Sequence, residues 1–117
     1  MNSSNQRKTK GTQAYVGNLD SMMSYQDGSV VSRTIARKKA GTITMFAFDK
    51  GQGLPEHAVP YDAILYITEG QMDVFVESGE AIPCNAGEMA YMPADIPHSV
   101  VGVTPCKMFL IMIRSRD

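Results

Sequence analysis

The amino-acid sequence predicts an all-β fold, either a sandwich or a barrel, formed by one domain. Short segments rich in β-branched and other apolar residues follow one another, and turn-forming Gly, Pro, Asn and Ser residues separate them. No window shows the periodicity of a long amphipathic helix. A length of 117 residues suits a single domain, which commonly holds about 100–150 residues around one modest core.

The predicted strands are short and bounded by turn residues. In the segment 71–80, Met72, Val74 and Val76 alternate with the residues between them, a period of two that is typical of a half-buried strand. Many short strands at regular spacing favour a sandwich or barrel over a mixed α/β fold. The strand segments are 28–36, 41–48, 62–70, 71–80, 98–103 and 107–113, with further strand residues within 81–93.

The N-terminal segment differs from the rest of the chain. Residues 1–13 are polar and charged, so we predict a flexible tail there and a single domain over 14–117. The tail lacks the apolar core of a secretory signal, which favours a cytoplasmic location. Shortly after the tail, 19–25 suits one helical turn.

Composition and charge exclude several functional classes. Hydrophobic residues make up 44% and charged residues 20%, as in a globular protein. The net charge of −1 does not favour nucleic acid or an anionic membrane surface as a partner. No run of about 18 apolar residues is present, so no membrane span is predicted.

The sulfur-containing residues allow more than one interpretation. Cys84 and Cys106 have neither Cys-x-x-Cys spacing nor a Cys/His cluster, so we expect two reduced thiols, and a disulfide stays open. The chain has nine Met residues. Met favours irregular core space, and a thioether cluster that binds a soft metal such as Cu(I) is the alternative. Met residues in or near predicted strands are Met22, Met45, Met72, Met89, Met92, Met108 and Met112.

Two spaced motifs contain both histidines of the chain. In each motif a Gly is followed, after five intervening residues, by the first of the spaced residues. The first motif consists of Gly51, His57 and Gly70, and the second of Gly87, Pro93 and His98.

In these motifs the sequence resembles the cupin superfamily. The first cupin motif is Gly, five residues, His-x-His, three or four residues, Glu, six residues, Gly. The second is Gly, five residues, Pro-x-Gly, two residues, His, three residues, Asn. Six of the ten marked positions match, and the resemblance extends over roughly 28–114. It implies a double-stranded β-helix, or jelly-roll barrel, and a homodimer for which we predict an interface in the strands before residue 50.

The departures from the cupin pattern affect the metal site that the resemblance implies. That site holds Fe, Mn, Ni or Zn with three His and one Glu. Val59 stands where the second His is expected, and Ala63 stands where the Glu is expected. Asp95 replaces a Gly and Gly102 replaces the Asn. Asp tolerates the left-handed backbone of a tight turn, so we expect the turn at 95 to persist.

Strand parity predicts which side chains surround His57. Alternate residues of a strand face one side, so a row from His57 would line the barrel interior if Pro60 does not shift the register. A bulge at Pro60 would instead turn Glu56 or Asp62 inward. His98 would approach from a strand across the sheet. The predicted lining residues are Val59, Tyr61, Ala63, Leu65, Ile67 and Val100.

Three functions remain open for His57 and His98. They are metal ligands of a small enzyme of the dioxygenase, isomerase or lyase kind, with Fe, Mn, Ni or Zn. Alternatively, they bind a small molecule without metal, as hydrogen-bonding partners or as acid and base. In the third case they are buried, hydrogen-bonded residues of an inert barrel. The substrate and the reaction are left open.

Overall fold

The computed structural model describes residues 6–8, 11 and 13–115. These residues form eleven strands and one short helix. The strands are β1 (Gln6–Lys8), β2 (Tyr15–Gly17), β3 (Val30–Lys38), β4 (Gly41–Phe48), β5 (Gly53–His57), β6 (Tyr61–Glu69), β7 (Gln71–Val76), β8 (Ile82–Asn85), β9 (Met89–Met92), β10 (His98–Gly102) and β11 (Cys106–Arg114), and the helix is α1 (Leu19–Met22).

Two antiparallel sheets form the barrel. The five-stranded sheet has the order β3-β4-β11-β6-β9, the four-stranded sheet has the order β5-β10-β7-β8, and β1 pairs with β2 in a separate ribbon. Neighbours in the sheets are mostly far apart in sequence, as in a jelly roll. The predicted all-β jelly-roll fold is therefore confirmed.

The main core fills the space between the two sheets. Alternate residues of the strands face it, for example Leu65 and Ile67 in β6 and Met72 and Val74 in β7. Each fully buried side chain of this kind contributes about 1.5–3 kcal/mol relative to exposure. Other members of the core are Phe48, Ala63, Cys84, Met92, Val100, Cys106 and Met108.

A second, smaller core covers part of the outer face of the five-stranded sheet. Met23, which follows α1, is buried together with Met45 and Ala47 of β4. Asn18 caps α1, since its side chain accepts a hydrogen bond from the amide of Asp20 at 2.9 Å. The segment around α1 is thus packed against the sheet.

Gly70 explains why the first motif ends on a glycine. It joins β6 to β7 with φ of 82°, a conformation that glycine adopts without steric cost. A Cβ atom at this position would lie 2.2 Å from the carbonyl oxygen of Pro105. Only glycine fits this turn without moving the backbone.

The structure corrects the predicted row of residues from His57 to Ile67. That row is not one strand, because β5 ends at His57 in the four-stranded sheet and β6 begins at Tyr61 in the five-stranded sheet. The chain crosses between the sheets over 58–60, where Pro60 has no N–H to donate to a ladder.

Other boundaries differ from the prediction. β5 was not expected as a strand, and it contains Pro55, which an edge strand tolerates. Segment 81–93 divides into β8 and β9. Within the predicted tail, Gln6–Lys8 is a strand, whereas residues 1–5, 9, 10 and 12 lie outside the described residues.

Two further predictions concern the thiols and the membrane. Cys84 and Cys106 are both buried and free. Among the described residues, no helix has the length and apolar character that a membrane crossing requires.

Candidate functional site

The two histidines meet on neighbouring strands. His57 of β5 and His98 of β10 are directly paired residues of the antiparallel ladder, so their side chains lie on the same face of the sheet. Their ring centroids are 4.7 Å apart, and the ring planes are tilted by 52°. His98 is buried, with 6% of its surface exposed, and His57 is half-buried.

Backbone hydrogen bonds determine which ring nitrogen of each histidine is available. Nδ1 of His57 lies 2.8 Å from the carbonyl oxygen of Pro55, and Nδ1 of His98 lies 3.0 Å from that of Ile96. A carbonyl oxygen only accepts, so each Nδ1 carries a proton and donates it. In the neutral ring the lone pair is therefore on Nε2. Both histidines present Nε2 as an acceptor or a metal ligand.

A small, mostly apolar cavity lies next to the two rings. It has a volume of about 10 Å³, enough for about one water molecule. Side chains from both sheets line it. They are Leu54, His57, Val59, Ala63, Leu65, His98, Ser99, Val100, Met108, Leu110 and Met112.

The predicted lining residues divide into two groups. Val59, Ala63, Leu65 and Val100 line the cavity with both histidines. Ile67 is fully buried in the main core and Tyr61 lies at the start of β6, and neither lines the cavity in the described part of the chain. Strand parity placed the five residues from Val59 to Ile67 in one row, but the crossing at 58–60 breaks that row.

Sequence reasoning missed the contribution of β11. Met108, Leu110 and Met112 occupy alternate positions of this strand and line the cavity. Their period of two was visible within the predicted strand 107–113. What the sequence did not show is that β11 lies opposite the histidines.

The candidate carboxylates are engaged elsewhere. Glu56 is exposed, and its Oε1 accepts a hydrogen bond from Oγ of Ser78 at 2.6 Å. Oδ1 of Asp62 accepts from the amide of Ala94 at 2.9 Å. Among the described residues, no group of three or more His, Cys, Asp and Glu side chains is arranged to hold a metal ion. The residues that line the cavity likewise include no carboxylate.

Turns at the motif positions hold the site in place. The amide of Gly51 donates to the carbonyl of Gly102 at 2.8 Å, which connects the two motifs. Asp95 has φ of 67°, so the expectation that Asp sustains a left-handed turn here is confirmed. Its amide donates to the carbonyl of Val59 at 2.8 Å, which connects the second motif to the crossing segment.

Comparison with known proteins agrees with the sheet order and the motifs. A family model described as the cupin domain matches residues 44–113, more than half of the chain. The chain belongs to the cupin superfamily. Among curated proteins, none matches this cupin.

Solved structures from several bacteria share its fold. A conserved protein of unknown function from Streptococcus pyogenes is 27% identical with a TM-score of 0.82, over 95% of this chain and 96% of that chain. A cupin 2 conserved barrel domain protein from Leptotrichia buccalis is 32% identical with a TM-score of 0.78, over 85% of this chain but 47% of that chain. A cupin superfamily protein from Desulfitobacterium hafniense is 20% identical with a TM-score of 0.79, over 92% and 94%, which shows the fold alone.

Proposed function

We propose that this cupin binds a small ligand group at the His57–His98 pair, through the two Nε2 atoms. The observation that carries the proposal is the pair of hydrogen bonds from Nδ1 to the carbonyls of Pro55 and Ile96. These bonds orient both rings and fix their neutral tautomers. They leave two lone pairs on rings that are 4.7 Å apart.

The divalent metal that the family implies does not fit this donor set. Fe, Mn, Ni and Zn sites of the cupin type use three His and one Glu, and here Val59 and Ala63 occupy two of the four positions. Glu56 and Asp62 bond to other groups. The predicted metal-dependent dioxygenase, isomerase or lyase activity therefore lacks half of its ligands, and we derive no step through such an ion.

The chemistry of the cavity favours binding of a hydrogen-bond donor or of a metal ion. Two neutral imidazoles accept hydrogen bonds from a hydroxyl or ammonium group, or coordinate a metal ion. Apolar neighbours such as Leu65 and Val100 exclude water, which strengthens these interactions. With about 10 Å³ available, the cavity admits one small group, and the rest of a larger ligand would stay at its mouth.

A binding screen tests the proposal. Thermal-shift measurements and calorimetry with small alcohols, amines and sugars would use the wild type and His57→Ala, with Val101→Ala on the exposed side of β10 as control. We expect stabilisation of the wild type and the control but not of His57→Ala. Equal stabilisation of all three, or of none, would overturn the proposal for organic ligands. Elemental analysis after incubation with Fe, Mn, Ni and Zn should find no stoichiometric divalent metal.

We also propose that a second copy of the chain covers the outer face of the five-stranded sheet. Exposed apolar side chains lie there on β6 and β9, where Tyr66 is paired with Met89 and where Tyr91 is 54% exposed. Adjacent exposed apolar residues mark interaction surfaces. The strands before residue 50 are less suited than predicted, because Met45 and Ala47 are already covered by the chain itself.

Light scattering would measure the assembly. The wild type should have twice the monomer mass, and Tyr91→Glu should shift it to monomer. Ile82→Glu, which places the same charge at an exposed position of the other sheet, is the control. A monomeric wild type would contradict the dimer.

A further inference from the structure

One buried hydroxyl beside the cavity lacks a hydrogen-bonding partner. Oγ1 of Thr42 in β4 is buried, and no group in the described part of the chain bonds to it. Thr42 is paired directly with Met112 of β11, which lines the cavity together with His57 and His98. Directly paired residues share a face of the sheet, so Thr42 lies on the same inner face as the cavity. Buried polar groups are nearly always paired, so this hydroxyl marks a position that a bound molecule completes.

A β-bulge places a cation next to this hydroxyl. β3 contains one extra residue between Thr34 and Ala36, where its register with β4 shifts. In a regular strand, Arg37 would share the outer face with Ile35, which packs on the second core. The bulge reverses the parity of the residues beyond it, and Arg37 pairs directly with Thr42. Arg37 thus lies on the inner face beside Thr42.

The guanidinium of Arg37 is available to an anion. Arg37 is exposed, and it has no ion-pair partner among the residues that the structure describes. Ser32 and Thr34, which share its face of β3, are exposed as well. The four-stranded sheet therefore leaves this part of β3 uncovered. Arg binds carboxylates through two parallel charge-assisted hydrogen bonds, and the open face gives such a group access.

We propose that the ligand of the histidine pair is a small hydroxy acid. Its hydroxyl donates to Nε2 of His57 or His98, and its carboxylate accepts from Arg37 and from the hydroxyl of Thr42. The inference rests on the proposed function, because it uses the same pair of Nε2 atoms. It specifies the chemistry of the part of the ligand that stays at the mouth of the cavity.

Hydrogen-bonding roles determine which end of the ligand lies where. A neutral imidazole accepts at Nε2, so it pairs with a hydroxyl, whereas a carboxylate only accepts. Leu65 and Val100 beside the rings are buried and apolar, which makes an anion costly there. Arg37 only donates, and on the open face the carboxylate keeps part of its hydration.

Strand spacing determines the size of the ligand. β3, β4 and β11 are consecutive in the sheet, so the backbones at Arg37 and Met112 are about 10 Å apart. The long stem of the Arg side chain covers part of that distance. The cavity of about 10 Å³ admits the hydroxyl group alone. A chain of a few carbon atoms spans the remainder.

Calorimetry with matched pairs of ligands, at about pH 8 where imidazole is ordinarily neutral, tests the inference. Each pair is a hydroxy acid and the alcohol in which CH₂OH replaces the carboxylate: glycolate with ethylene glycol, threonate with threitol, and gluconate with glucitol. We expect at least one acid to bind about tenfold or more tightly than its alcohol. Arg37→Gln should abolish this preference. Lys38→Gln, which removes the charge of the next residue on the opposite face of β3, should keep it.

A second variant separates ligand binding from folding. Thr42→Val keeps the shape of the side chain and removes the unpaired hydroxyl. Because that hydroxyl has no partner in the ligand-free protein, thermal stability should not fall, whereas affinity for the acid should decrease about fivefold or more. Lower stability with unchanged affinity would show that Thr42 has a structural role only, and would contradict its place in the site.

Three outcomes would overturn the inference. They are equal affinity for acid and alcohol in every pair, a preference that survives in Arg37→Gln, and a preference that Lys38→Gln abolishes equally, which would indicate general charge attraction. If the alcohols bind the wild type but not His57→Ala while no acid is preferred, the ligand class is wrong and the proposed function stands. If no probe depends on His57, both fail.

Discussion

Tyr25 donates a hydrogen bond of 2.5 Å from its hydroxyl to Oε2 of Glu69, across 44 residues of sequence. Nζ of Lys107, which is 6% exposed, lies 3.9 Å from Oε1 of the same carboxylate and donates to the carbonyl of Asp20 at 3.1 Å. The ammonium also lies 5.2 Å from the centre of the Tyr25 ring. These contacts attach the segment around α1 to the outer face of the five-stranded sheet.

Removing the hydroxyl of Tyr25 should therefore destabilise the fold. We expect Tyr25→Phe to lower the free energy of unfolding by about 1–2 kcal/mol, because a hydrogen bond to a charged group is lost. Urea denaturation measures the change, with Tyr91→Phe at an exposed position as control. Equal stability of Tyr25→Phe and the wild type would show that the Tyr25–Glu69 bond contributes nothing.

The sequence predicted the strands better than their arrangement. β4 has the predicted bounds 41–48, β10 ends one residue earlier than predicted, and β11 extends one residue further at each end, because alternation and turn residues are local properties. β5 was missed because Pro55 and Glu56 interrupt its apolar pattern, which an edge strand tolerates.

The candidate site was likewise predicted only in part, because motif spacing is a local property and the packing of the two sheets is not. The motif spacing picked out His57 and His98, which the ladder pairs directly. Met108 and Met112 were not placed at the cavity, because their position there depends on which sheet faces β5 and β10. That relation depends on how one sheet packs against the other and leaves no mark in local periodicity.

The buried thiol of Cys106 should make stability depend on alkaline pH. Burial raises the pKa of this thiol from an ordinary value of 9.0 to about 11, with a smaller contribution from the nearby carboxylate of Glu69. The unfolded chain then loses its proton first, so stability present below pH 9 declines as pH rises from about 9 to 11. We expect a loss of about 1 kcal/mol by pH 10.

Urea denaturation between about pH 8 and 10, under reducing conditions, measures this loss. Cys106→Ala should show a smaller decline over the same interval. Tyr25 adds a decline of the same sign from about its ordinary pKa of 10.0 upwards, because burial and Glu69 raise the pKa of that phenol in the folded protein, and this contribution is common to both proteins. Parallel profiles of the two proteins would contradict the prediction.

The tautomers of the two histidines can be observed directly. We expect both rings of the ligand-free protein to be the Nδ1–H form, because each Nδ1 donates to a backbone carbonyl. Long-range proton–nitrogen correlation spectra at about pH 8, above the ordinary range of imidazole titration, distinguish the two forms. Predominance of the Nε2–H form in either ring would remove the acceptor pair on which the proposed function depends.

Restoring the two missing ligands should enable the site to bind a divalent metal ion. Val59 and Ala63 line the cavity with both histidines, so Val59→His with Ala63→Glu supplies a third imidazole and a carboxylate facing the same space. The added negative charge offsets the desolvation of a divalent ion, and we expect the double variant to retain stoichiometric Ni or Zn in elemental analysis. Ile64→Glu combined with Val59→His is the matched control, because residue 64 lies on the opposite face of β6 from Ala63 and its carboxylate cannot reach the cavity. Metal retention equal to that of the control would show that the carboxylate at 63 is not needed, and no metal in the double variant would contradict the prediction.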